Sequence, residues 1–137
     1  MQIKSKQRVK DFAEVFTAER EVKAMCDLIP QETWDNIEST FLEPSCGTGN
    51  FLVEIFARKL SRCNDVKDAL KALASIVGID IQQDNVEESR RRLMDMFLEK
   101  YGNSNEVATF LAGAILRNNI ICGDSLEIMK MWEKKQK

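Results

Sequence analysis

A short apolar run, Phe41-Leu42-Glu43, ends in an acid and a proline and breaks into Ser45-Cys46-Gly47-Thr48-Gly49-Asn50-Phe51. No other stretch restricts the fold as much. Ser39 to Leu42 reads as a strand, Pro44 cannot extend a hydrogen-bonded ladder, and Gly47 and Gly49 open backbone angles closed to other residues. Phe51, Leu52, Ile55 and Phe56 then recur at helical spacing. A tight strand-to-helix turn, bare of side chains at two positions, lets a ligand lie against the backbone and the free N–H groups of a first helical turn.

Two further apolar runs end in acids, Ser75 to Asp80 and Asn119 to Asp124. Between them the spacing predicts helices over about 50–62, 66–73, 82–101 and 105–116. Strands alternating with helices imply a parallel α/β sheet. Upstream, Met1 to Lys10 reads as a polar, basic arm. Thr17 is a candidate N-cap for a first helix whose face is Val22, Met25, Leu28 and Ile29, stopping near Pro30. A polar link holding Trp34 and Ile37 follows. Arg90, Arg91 and Arg92 read as solvated partners of Glu87, Glu88 and Asp95. Lys130 to Lys137 reads as a charged tail, so the partial domain spans about 11–129.

The chain has 137 residues, enough for one domain with a real core. Twenty basic against twenty-two acidic residues give a net charge of -2, so no basic field holds a phosphate backbone unaided. With no histidine and four scattered cysteines, neither a zinc site nor a histidine base is expected. No apolar run reaches the roughly 20 residues that span a bilayer. The expectation is a cytoplasmic protein with reduced thiols.

In a parallel sheet, ligands bind outside the carboxyl ends of the strands. Glu43, Asp80 and Asp124 would therefore surround one crevice beside the glycine loop. Asp80, about thirty residues after the loop, is placed to accept both hydroxyls of a ribose. Asp124 would accept from the exocyclic amine of adenine, with Ile81 and Leu126 against the ring, and Glu43 would suit an ammonium group. Ammonium, ribose and adenine together describe S-adenosylmethionine. Asp80 and Asp124 are equally candidate caps or turn residues, Glu43 a cap for the loop's own N–H groups, and Phe16 a hydrophobic staple. The third glycine of the dinucleotide fingerprint is missing after Gly49, and no Gly-Lys-Ser/Thr follows the turn, which excludes a P-loop.

These residues resemble the class I S-adenosylmethionine-dependent methyltransferases, and in detail the adenine-specific DNA methyltransferases of restriction-modification systems. Glu43 to Leu52 resembles that family's first cofactor motif, Gly78-Ile79-Asp80 its second and Cys122 to Leu126 its third. Glu14 to Val22 resembles the motif that closes over the methionine end, with Ala18 where proline is usual. The resemblance implies a three-layer Rossmann-like fold, here with an incomplete parallel sheet and an N-terminal helix. It also implies S-adenosylmethionine as cofactor, held by Phe16, Thr17, Glu43, Ser45, Cys46, Gly47, Gly49, Asn50, Phe51, Asp80, Ile81, Asp124, Ser125 and Leu126. No residue is assigned catalysis. The family's Asn/Asp-Pro-Pro-Tyr/Phe segment, which holds the flipped base, is absent from these residues, whose prolines are Pro30 and Pro44. The expected function is thus the cofactor-binding part of an N6-adenine DNA methyltransferase that reaches DNA through a further domain or partner subunit. A non-catalytic interaction or regulatory module on the same fold is the alternative. An unfinished sheet also predicts self-association or a protein partner.

Overall fold

The computed structural model describes residues 2–3, 15–16, 18–103 and 106–136. Gln2–Ile3 (β1) pairs antiparallel with Val15–Phe16 (β2), so two residues of the expected arm belong to a ladder. The rest of that arm, and the expected N-cap Thr17, lie outside the described residues.

The first described helix, Glu19–Cys26 (α1), starts after an extended Ala18 that offers no side-chain cap. It ends earlier than its apolar spacing predicts, because Val22 and Cys26 form its buried face while Met25 is 53% and Leu28 84% exposed. Gln31–Asp35 (α2) occupies the expected link and buries Trp34. The indole stacks on Phe41, ring centroids 5.1 Å apart, and so anchors the entry to the first sheet strand.

The main sheet has three parallel strands, Phe41–Glu43 (β3), Ile76–Asp80 (β4) and Ile120–Cys122 (β5), in the order β3-β4-β5. Phe41 pairs with Ile76, and Gly78 with Ile120. Asn50–Leu60 (α3) and Val66–Ala74 (α4) connect the first two strands; Gln83–Tyr101 (α5) and Glu106–Asn119 (α6) connect the next two. Both crossovers step the same way along the sheet, so right-handed connections bring the helix pairs side by side. Accordingly α3 packs on α5, and α4 on α6. Ser125–Lys135 (α7) follows β5 and extends into the stretch expected as a charged tail.

Leu52, Phe56, Leu73, Ile76, Val86, Leu93, Phe97 and Ile120 are fully or almost fully buried at the centre of the core. Among them lies a lysine. Lys59 has no exposed surface, and its Nζ donates to Ile37 O at 2.8 Å, to Ser75 Oγ at 2.7 Å and to Ser39 O. It ties α3 to the starts of β3 and β4, at the end of the sheet away from the acids. Burial lowers its pKa to about 8 from 10.5. The unfolded chain therefore binds more protons between those values, and this group's contribution makes the fold more stable as pH rises through that window, by about 3 kcal/mol in full. Urea unfolding at pH 7.5 and 9.5 is expected to show this gain in wild type relative to Lys59→Met. The difference between the two proteins cancels the opposing titration of the cysteines, of which the buried Cys26 and Cys46 and the half-buried Cys63 are all pushed upward.

Candidate functional site

The carboxyl ends of β3, β4 and β5 carry Glu43, Asp80 and, two residues past β5, Asp124. The chain after β3 turns at Pro44 and Ser45, and Gly47 and Gly49 both adopt positive φ, 55° and 96°, where any side chain is strained. Space adds a second constraint at Gly49, since a Cβ there would stand 2.9 Å from Ser89 Oγ. Cys46 N–H donates to Ile79 O at 2.8 Å, which carries the β3–β4 pairing into the loop.

Asp80 organises this corner. Its Oδ1 accepts from Gly47 N–H at 3.1 Å, and its Oδ2 from Gln82 N–H at 3.0 Å and Asn85 Nδ2 at 2.9 Å. A carboxylate offers about four acceptor positions, so among the described residues three are engaged and one, on Oδ1, takes no donor and suits a ligand hydroxyl. The turn-residue reading and the ligand reading of Asp80 are thus compatible, although accepting both hydroxyls of a diol requires one protein donor to yield.

Glu43 differs. Its Oε1 accepts from Ser45 N–H at 3.1 Å, the loop-capping role the sequence allows. Burial raises its pKa above the usual glutamate value. No described residue supplies it with a cation. A half-buried carboxylate lacking a positive partner is a costly arrangement that a cationic ligand would relieve.

Asp124 caps α7, its Oδ1 accepting from Leu126 N–H at 2.9 Å and Glu127 N–H at 3.3 Å. Its Oδ2 takes no hydrogen bond from the described residues. Gly123 N–H donates to Asp80 O at 3.0 Å and joins the second and third strand ends. Beside them Ile81 is 56% and Leu126 70% exposed, two apolar side chains at adjacent strand ends available to a planar ring. Ser125 opens α7, half-buried.

The other expected positions are mixed. Cys46 is buried, and its thiol is pushed up to about 12, chiefly by burial and then by the charge of Asp80; it stays protonated and inert near neutrality. Asn50 begins α3 and its Oδ1 accepts from Arg92 Nη1 at 2.9 Å. Phe51 packs its side chain against the core. Phe16 lies in β2, and Thr17 is outside the described residues. The structure therefore joins Glu43, the loop, Asp80 and Asp124 by direct hydrogen bonds or adjacent strand ends.

The arginine cluster departs from expectation. Arg91 alone pairs with Glu88 and Asp95, at 2.6 and 2.8 Å. Arg90 donates to Ile120 O through Nε and Nη2, and to Arg117 O, while Arg92 reaches Thr48 O at 2.8 Å as well as Asn50. Both turn inward to backbone carbonyls in the last turn of α6, at the start of β5 and in the loop, partners invisible to i, i+4 spacing. Asn85 and Ser89, fully buried on the same helix, were likewise missed. Their signal was available, since Ser89 lies three residues from Val86 and four from Leu93, on the apolar face.

Among the described residues no helix is long and apolar enough to cross a membrane, and no cluster of acids and cysteines could hold a metal. All four cysteines are free. Over 83 residues the sequence is 37% identical to the Type II methyltransferase M.VspI of Vibrio sp. (strain 343). That stretch is 60% of this chain and 17% of the relative, so the chain corresponds to a small part of that protein and is related in part to a methyltransferase. No family model and no solved structure matches.

Proposed function

We propose that these residues form the S-adenosylmethionine-binding part of an N6-adenine DNA methyltransferase of a restriction-modification system, built on a Rossmann-like fold. The observation that carries this reading is Glu43, a half-buried acid with a raised pKa and no cation among the described residues, beside a glycine loop of positive φ. Partial similarity to a methyltransferase supports the same class. When bound, the cofactor supplies a sulfonium methyl open to direct attack by an amine. This chain's residues bind and orient: Glu43 takes the ammonium, the open position of Asp80 a ribose hydroxyl, and Asp124 the adenine amine between Ile81 and Leu126. Alignment of this kind supplies much of the rate when no covalent enzyme intermediate is needed.

The target base and the DNA backbone, on this reading, are held by a further domain or a partner subunit. The outer edges of β3 and β5, which pair with no strand among the described residues, are the proposed surfaces for a partner or a second copy. A second reading, a non-catalytic interaction or regulatory module, draws on the three protein donors already satisfying Asp80.

Calorimetric titration with S-adenosylhomocysteine separates the two. Micromolar, one-to-one binding is expected. No binding heat at two temperatures from a chain with a cooperative melting transition would leave only the module.

A further inference from the structure

The glycine loop rests on a stripe of polar side chains that no cofactor motif includes. Asn85, Ser89 and Arg92 recur at i, i+4 and i+7 and so share one face of α5. Each member of this stripe donates to the candidate site: Asn85 to Asp80 Oδ2 at 2.9 Å, Ser89 Oγ to Gly47 O at 3.0 Å, Arg92 Nη1 to Thr48 O at 2.8 Å and to Asn50 Oδ1 at 2.9 Å. Asn85 and Ser89 have no exposed surface, and polar groups are rarely buried so completely without a fixed partner.

The consequence follows from peptide geometry. In a planar trans peptide the C=O and the following N–H point in opposite directions. With Gly47 C=O drawn to Ser89, Thr48 N–H faces away from α5; with Thr48 C=O drawn to Arg92, Gly49 N–H turns to Cys46 O, which accepts it at 2.9 Å. Thr48 N–H has no acceptor among the described residues. The loop thus turns two carbonyls inward and leaves an amide donor open, the polarity that a ligand's oxygen or nitrogen acceptor requires.

We propose that Asn85, Ser89 and Arg92 are positioning residues that sort the loop's carbonyls from its donors, and that Arg92 in this way sets affinity for an adenosylhomocysteine-type ligand, a second step that rests on the function proposed above. The glycines permit the loop's angles, and the stripe selects among them.

Hydrogen–deuterium exchange and calorimetry on the same variants test this. Arg92→Met is expected to speed exchange of the hydrogen-bonded loop amides of Cys46, Gly47 and Gly49 by about tenfold while β4 keeps its protection. It is expected to weaken S-adenosylhomocysteine by about tenfold as well. Arg92→Lys, whose ammonium can reach the same two oxygens, is expected to restore both. Ser89→Ala removes the other carbonyl's donor and, should Arg92→Met fail to fold, provides the same comparison. Unchanged loop exchange in folded variants, or acceleration spread evenly over the chain, overturns the stripe. Loop-specific acceleration in a protein whose wild type binds no S-adenosylhomocysteine keeps the stripe and removes the ligand.

Discussion

Glu43→Gln is expected to raise the melting temperature of the ligand-free chain and, in the same protein, to weaken S-adenosylhomocysteine by about 10- to 100-fold, the range of a charge-assisted hydrogen bond. The two effects have one cause. Burial raises the pKa of Glu43 above its ordinary 4.5, so the folded chain binds more protons than the unfolded one between those values. The group's contribution to stability is therefore greatest at low pH, falls as pH rises through that window, and stays at its low value at neutrality. Glutamine keeps the shape and the acceptor for Ser45 N–H and removes the desolvated charge. What stabilises the empty fold then costs the complex its partner for an ammonium. A charge needed only for folding predicts the reverse, a lower melting temperature. Wild-type affinity is also expected to fall on acidification through the raised pKa of Glu43, a dependence absent from Glu43→Gln. Differential scanning fluorimetry and calorimetry between pH 5 and 8 measure both.

What the sequence discloses of this molecule depends on how local the cause is. The strands β3, β4 and β5 are legible because each is an apolar run closed by an acid, and the corner between β3 and α3 because φ of 55° and 96° favours glycine. Three strand-end acids beside one loop follow from parallel topology alone. Causes that act at a distance leave little trace. Trp34 sits in a helix of five residues, too short for periodicity to register, and is recruited by stacking on Phe41. Arg90 and Arg92 have carboxylates nearby in sequence, yet their partners are carbonyls 27 to 44 residues away. Lys59 could have been suspected, because it follows Ile55 and Phe56 by four and three residues on the face that enters the core. The capping reading of Asp124 and the loop-capping reading of Glu43 both came from elementary turn chemistry and both describe bonds present in the structure. They do not compete with ligand binding, since each carboxylate keeps acceptor positions beyond those its own backbone uses.

Asp80→Asn separates structural from ligand-binding work at the most heavily used of these carboxylates. Three donors from two segments, the loop and the start of α5, converge on Asp80, and an amide, which has one acceptor oxygen, must turn its NH2 toward at least one of them. A donor facing a donor leaves buried hydrogen-bonding groups unpaired at a cost of about 1–3 kcal/mol, which lowers the melting temperature by roughly 5–10 °C in a domain of this size. Binding of S-adenosylhomocysteine is expected to fall by at least about 100-fold, because the loop loses its anchor and the ribose its acceptor together. A 2′-deoxy analogue resolves the two contributions. Wild type is expected to bind S-adenosylhomocysteine about tenfold or more tighter than its 2′-deoxy counterpart, as a site that hydrogen-bonds a hydroxyl rejects the ligand lacking it. If Asp80 accepts that hydroxyl, the ratio of the two dissociation constants collapses toward unity in Asp80→Asn. A preference kept in full by the variant would make Asp80 an anchor of the glycine loop alone and pass ribose recognition to another group. The geometry supports both roles in one side chain: Gly47 N–H and the ligand hydroxyl share Oδ1, so the bond that shapes the loop also orients the acceptor that the ligand meets.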